Sequence, residues 1–156
     1  MTKTPRAVWF AGAMILFIVF LDQISKLFFL KVLLPGESIP VIRNIFHFTL
    51  VHNTGIAFGL FKSQGVLFLI VSLVAIVVFG WLLYHQAKTQ TLLWTTRLAF
   101  SFIIGGALGN FLDRLQYGFV VDFIDFRVWP VFNIADSAIT LGALILVLTC
   151  IPLSAK

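Results

Sequence analysis

Residues 65–84 read GVLFLIVSLVAIVVFGWLLY, twenty residues without a charge. At 1.5 Å per residue such a run covers about 30 Å, the thickness of a bilayer's hydrocarbon core. Lipid offers no partner for a free backbone N–H or C=O, so the run is expected to be a membrane-spanning helix. Further apolar stretches lie on either side of it. One covers about residues 8–34 and contains Asp22 and Lys26, another covers about 92–112 with Arg97 near its start, and the last covers about 134–153 with Asp136 in its first turn. The composition agrees: of 156 residues, 60% are hydrophobic, 11% are charged and 18 are phenylalanine. A soluble domain carries roughly 25% charged residues, and one this small has too little interior to hide so much apolar surface. A water-soluble globule and a disordered chain are excluded, and a lone cysteine, Cys150, excludes a disulfide scaffold. The expected fold class is an all-α membrane protein, a single integral domain over residues 1–156 with four transmembrane helices.

Lys3 and Arg6 before an apolar run resemble the start of a secretory signal, but Ala11-Gly12-Ala13 comes too early for a cleavage site, so a retained first helix is expected. An even number of spans puts both termini on one side. That side holds Lys3, Arg6, Lys88, Arg97 and Lys156 without an acid, while the other holds the remaining six basic residues and all six acids. Counting Lys and Arg alone is nearly silent on orientation, and the charges before the first helix point to cytoplasmic termini. The acids are more telling, since every carboxylate lies on or near the outer leaflet.

The outer side also carries the extramembrane chain. An insertion over about residues 35–64 alternates like a strand, with Phe46, Phe48 and Leu50 on one face, His47 and Thr49 on the other, and a turn signal at Asn53-Thr54-Gly55. Together with Phe58 and Phe61 it reads as a small β-rich cradle resting on the membrane surface. A second outer loop, about residues 116–132, is rich in aromatic rings that favour the interface.

Charged groups in lipid are costly and need a reason. Asp22 and Lys26 are four apart, on one helix face, and can neutralise each other. Gly105 and Gly109 form a GxxxG that permits close helix contact. Asn110 and Asp113 share the next face, and Arg114 can compensate a carboxylate. Asp122 sits in Val120-Val121-Asp122-Phe123, an apolar setting that disfavours its ionised form. Asn133 and Asp136 have the spacing of a helix N-cap and its reciprocal partner, where the helix dipole favours a carboxylate in its charged form. Two carboxylates in contrasting environments suit a general acid and base, although a proton or cation pathway also uses carboxylates. The inner half of the bundle offers such a pathway no relay partner. His47, His52 and His85 are scattered without a metal-ligand spacing, no serine sits in a nucleophile elbow, and no phosphate loop or basic nucleic-acid face occurs. Neither metal nor cofactor is expected. Asp125 and Glu37 receive no role.

Taken together, Asp22-Gln23-Ile24-Ser25-Lys26, Asn53-Thr54-Gly55-Ile56-Ala57-Phe58, Gly109-Asn110-x-x-Asp113-Arg114, Val120-Val121-Asp122-Phe123 and Phe132-Asn133-x-Ala135-Asp136 occur in an order that resembles lipoprotein signal peptidase, the signal peptidase II family of bacterial membrane aspartic proteases. The resemblance runs from the first span to the last. It implies a multi-pass protein of the bacterial cytoplasmic (inner) membrane, with cytoplasmic termini and an active site toward the extracytoplasmic side. It implies an endopeptidase, working as a monomer, that removes the signal peptide from lipidated prolipoproteins on the amino side of a diacylglyceryl-modified cysteine. The catalytic pair then falls on Asp122 and Asp136, with Asp113 as runner-up. Asn53, Asn110, Arg114, Asn133 and Ala135 fall on the supporting shell, as do Asp22 and Lys26.

Overall fold

The computed structural model describes residues 6–55, 65–89 and 93–150. Phe58, Phe61 and the part of the fourth apolar stretch beyond residue 150 lie outside them. The elements follow in the order α1 (Arg6–Val32), β1 (Ser38–Ile42), β2 (Phe46–Asn53), α2 (Gly65–Thr89), α3 (Trp94–Tyr117), β3 (Val120–Asp125) and α4 (Ile134–Cys150). Among the described residues, three helices are long and apolar enough to cross a membrane, spanning Val8–Val32, Val66–Gln86 and Trp94–Tyr117. The last helix is apolar over Ile134–Thr149 but shorter.

Helix α3 is the axis of the bundle and packs against α1, α2 and α4. Its small residues make that possible. A Cβ at Gly105 would lie 2.9 Å from the Ile18 Cβ of α1, and one at Gly106 would overlap the Ala135 carbonyl oxygen of α4. Gly105 and Gly109, the expected GxxxG pair, admit α1 through Ile18 and Asp22, while Gly106, outside that motif, admits the backbone of α4. Helix α2 differs: its apolar side chains are largely exposed, among them Val66, Val74, Val77 and Val78. In a membrane protein that surface meets lipid tails.

Helix α3 runs five residues past the expected end at residue 112, to Tyr117. Asp113 and Arg114 do not stop it because both find partners on the helix side that faces the bundle. Gly118 ends it instead, at φ 78°, with its N–H returned to the Arg114 carbonyl at 3.1 Å. That left-handed turn favours glycine, which has no Cβ to clash. It sends the chain straight back as β3, a strand where the sequence had pointed only to an outer loop over about 116–132. Both faces of β3 are buried, so its residues lack the polar alternation that reveals a half-exposed strand.

The sheet is antiparallel in the order β1-β2-β3. Ser38 pairs with Thr49, and Val51 pairs with Asp122 beyond an irregularity that begins at Phe48. Phe48 and Leu50 do share a face, packed with Val121 and Phe123 against Phe29 and Leu33 at the end of α1. The Phe29 ring stacks on Phe123 at 4.3 Å between centroids and tilts against Phe48 at 4.7 Å. The opposite face carries a polar chain, in which Ser38 Oγ meets His47 Nδ1 at 3.0 Å and Thr49 Oγ1 at 2.8 Å. The cradle is therefore pinned to the helices by aromatic packing, and this fixes the position of β3.

Candidate active site

Asp122 and Asp136 come from different elements, β3 and the first turn of α4, and line the same cavity of about 480 Å³. Asn133 ties them together. Its Nδ2 donates to Asp122 Oδ1 at 2.7 Å, while its Oδ1 accepts the Asp136 N–H at 2.8 Å. The Asn133 N–H returns to Asp136 Oδ2 at 3.3 Å, which completes a reciprocal cap at the start of α4. The capping arrangement read from the sequence is thus present, and it also aims the Asp136 carboxylate. Asn110 Nδ2 donates to Asp136 Oδ1 at 2.8 Å, and Asn53 Nδ2 donates to Asp122 Oδ2 at 2.8 Å. Asn53 is itself held by a turn in which its Oδ1 accepts the Gly55 N–H at 3.0 Å.

Asp122 is 1% exposed. Burial pushes its carboxyl from 3.8 up to about 8, and the nearby charge of Asp136 adds to the effect. Hydrogen bonds from Asn53 and Asn133 and the charge of Lys26 pull in the opposite direction without cancelling it.

Behind the pair lies an ion cluster that does not reach the cavity. Lys26, 2% exposed, places Nζ 2.7 Å from Asp22 Oδ2, 2.9 Å from Asp113 Oδ2 and 2.9 Å from Asn110 Oδ1. All the donors of the ammonium are used. The Asp22–Lys26 pair is the one expected from their spacing. The cation that compensates Asp113 is also Lys26, not the adjacent Arg114. Arg114 Nη1 donates to the Asn110 carbonyl at 3.1 Å, and its guanidinium lies over the Phe68 ring at 5.6 Å. Gln23 received no role from its sequence context, yet its Nε2 reaches Asp113 Oδ1 at 2.9 Å and the Gly109 carbonyl at 3.2 Å.

The candidate residues therefore sort into layers. Asn53, Asn110 and Arg114 line the cavity with Asp122 and Asp136. Asp22, Lys26, Asp113, Asn133 and Ala135 stand behind them. Asp113, the alternative to either carboxylate, has its Oδ2 occupied by Lys26 and by the Val121 N–H at 3.0 Å. The remaining cavity wall is mostly apolar, with Phe68, Val71 and Ala75 from α2 facing Trp129 and Pro130. Sequence reasoning missed this wall, since an apolar residue in a span carries no mark of which face it occupies.

Glu37 and Asp125 prove to be turn residues. Glu37 Oε2 accepts the Leu34 N–H at 2.8 Å. Asp125 accepts from Thr49 Oγ1 at 2.6 Å, from the Arg127 N–H at 2.8 Å and from Arg127 Nη1 at 2.9 Å, and it braces Arg127 at φ 64°. Burial opposes the Asp125 charge, but these hydrogen bonds outweigh it and hold the carboxyl below the usual carboxylate range.

The family model described as signal peptidase (SPase) II matches residues 14–152. A lipoprotein signal peptidase of Halothermothrix orenii is 44% identical over 134 residues, covering 86% of this chain and 90% of that protein. One of Moorella thermoacetica is 46% identical over 132 residues, covering 84% and 85%. A solved structure titled as a bacterial membrane enzyme at 1.9 Å superposes with a TM-score of 0.82 at 29% identity, covering 94% of this chain and 96% of the other. A second, titled the same way at 2.3 Å, gives 0.80 at 28% identity and covers 96% of each. Both the length of the match and the likeness of the fold extend across the helices and the sheet that hold the paired carboxylates, and the chain belongs to the signal peptidase II family, a family of bacterial membrane peptidases.

Proposed function

We propose that the chain removes signal peptides from bacterial prolipoproteins, cutting on the amino side of a diacylglyceryl-modified cysteine with Asp122 and Asp136 as its catalytic pair. The observation that carries this reading is the meeting of two carboxylates from separate elements in one largely apolar cavity. Close carboxylates in a low dielectric do not readily ionise together, so the pair shares one proton. The resting proton is assigned to Asp122, because Asp136 sits in the first turn of α4, where the helix dipole and the Asn133 N–H favour its charged form. Asp136 is then the base. It takes a proton from water as the water oxygen bonds to the scissile carbonyl carbon. Asp122 donates a hydrogen bond to the developing oxyanion and gives its proton to the leaving amine as the C–N bond breaks. Return of the proton from Asp136 to Asp122 restores the pair.

The apolar wall from α2 suits a lipid-bearing substrate, and Asn53, Asn110 and Arg114 supply the polar contacts around the reacting bond. The chain acts as a single membrane-embedded unit and a monomer. In this reading α4 is the fourth span, with its capped start at the extracytoplasmic face beside the sheet and both termini in the cytoplasm. The test is cleavage of a diacylglyceryl-modified prolipoprotein by purified protein in detergent, beside an unlipidated control. Asp122→Asn and Asp136→Asn are each expected to abolish cleavage while the protein remains folded. Cleavage retained by both variants overturns the pair, and equal cleavage of the unlipidated control overturns the substrate.

A further inference from the structure

We infer that Lys26 is a positioning residue: together with Asp22 and Asp113 it forms a clamp, outside the cavity, that sets the placement of Asp122 relative to Asp136. This deepens the proposed function and rests on it. The clamp touches each carboxylate-bearing segment at the same point. Asp113 Oδ2, held by Lys26, accepts the N–H of Val121 at 3.0 Å, one residue before Asp122. Asp22, held by Lys26 through Oδ2, accepts through Oδ1 the N–H of Ala135 at 2.9 Å, one residue before Asp136. The last donor of Lys26 goes to Asn110 Oδ1 at 2.9 Å, which leaves Asn110 Nδ2 facing Asp136. One ammonium on α1 thereby fixes β3, α4 and the amide between them, although neither Lys26 nor its two acids lines the cavity.

Charge neutralisation alone does not account for this arrangement. Asp22 would suffice for that, and a second buried carboxylate leaves the cluster with a net negative charge, which is costly in a low dielectric. The peptide N–H that Asp113 accepts gives it a task. Geometry separates the two accounts at this residue. Asn at position 113 can keep an acceptor oxygen at the Oδ2 site, facing both Lys26 and Val121, while Gln23 gives up its bond to residue 113 and keeps those to the Gly109 carbonyl and Asp22 Oδ2. That variant loses the charge and keeps the clamp.

The experiment measures kcat and KM for a lipidated prolipoprotein with the full chain in detergent. Asp113→Asn is expected to stay within about fivefold of wild type. Asp113→Ala and Lys26→Met are expected to lose about 100-fold in kcat, the cost of a reacting group misplaced by about 1 Å, with KM within about twofold because the apolar wall from α2 is untouched. Equal loss in the folded Asn and Ala variants overturns the clamp, as does near-wild-type kcat in Asp113→Ala or a loss confined to KM. If Asp113→Ala fails to fold, Asp113→Asn decides alone: kcat close to wild type supports the clamp, and a 100-fold loss overturns it. Asp122→Asn and Asp136→Asn run in the same assay keep the two readings apart, since cleavage retained there removes the proposed pair whatever the clamp variants do.

Discussion

Replacing Gly106 by alanine would place a methyl group in a narrow contact between α3 and α4. The new Cβ would lie 2.8 Å from Ile139 Cγ1 and 3.2 Å from the Ala135 carbonyl carbon, and would overlap the Ala135 carbonyl oxygen. Carbon atoms rest at about 3.5–4.0 Å, so the gap must open by about 1 Å. The Ile139 side chain can turn aside, but the Ala135 carbonyl is backbone, so the start of α4 has to move. Ala135 precedes Asp136 and donates its N–H to Asp22 at 2.9 Å, and Asp136 receives Asn110 at 2.8 Å. Lengthening either by about 1 Å takes it out of hydrogen-bond range. The expected cost is about 100-fold in kcat/KM from misplacement, with about 1–3 kcal/mol of stability lost to overpacking. Cleavage of a lipidated prolipoprotein gives the first quantity, and thermal unfolding in the same detergent followed by tryptophan fluorescence gives the second. Gly80→Ala serves as the control, because a Cβ there meets nothing within 4 Å. Activity within about threefold of wild type for Gly106→Ala, or an equal loss in Gly80→Ala, would refute the claim that this contact sets the position of Asp136.

The proposed acid imposes a pH dependence. Asp122 is protonated below about 8 and loses its proton above it, so cleavage is expected to fall as pH rises through that value, and a flat profile there contradicts the assignment. The same raised carboxyl makes folding take up a proton, so stability is expected to decline as pH rises from about 4 toward 8. At the cradle, Phe29→Ala removes the ring between Phe48 and Phe123. It is expected to destabilise by about 3–5 kcal/mol in the melt, and a change below about 1 kcal/mol would mean that the sheet is held elsewhere.

The legible parts of the sequence are those governed by neighbours along the chain. Residues 65–84 needed only their own apolarity to be read as a helix, and Gly65–Thr89 is one. The pairing of Asp22 with Lys26 and the reciprocal cap of Asn133 with Asp136 are fixed by spacings of four and three residues, and both are present. Less legible were the elements whose partners lie far away. Residues 120–125 form a strand only because β2 lies alongside. Their apolar run had no period to reveal it. Asp113 looked like a partner for Arg114 because the two are adjacent, yet helix geometry turns them apart and brings Lys26 from another helix.

The sequence by itself determined that this chain lives in lipid and which ordered motifs it shares with its family. Those properties are sums or short-range patterns, written wherever residues lie close along the chain. Only the tertiary structure decided which acids share a cavity and which stand behind it. That division depends on contacts across α1, α3, β3 and α4, where glycines admit the backbones and one buried ammonium selects its partners. Six acids of similar chemistry separate into turn residues, clamp residues and the cavity pair because burial and hydrogen-bond partners differ at each position. No spacing along the chain carries that information.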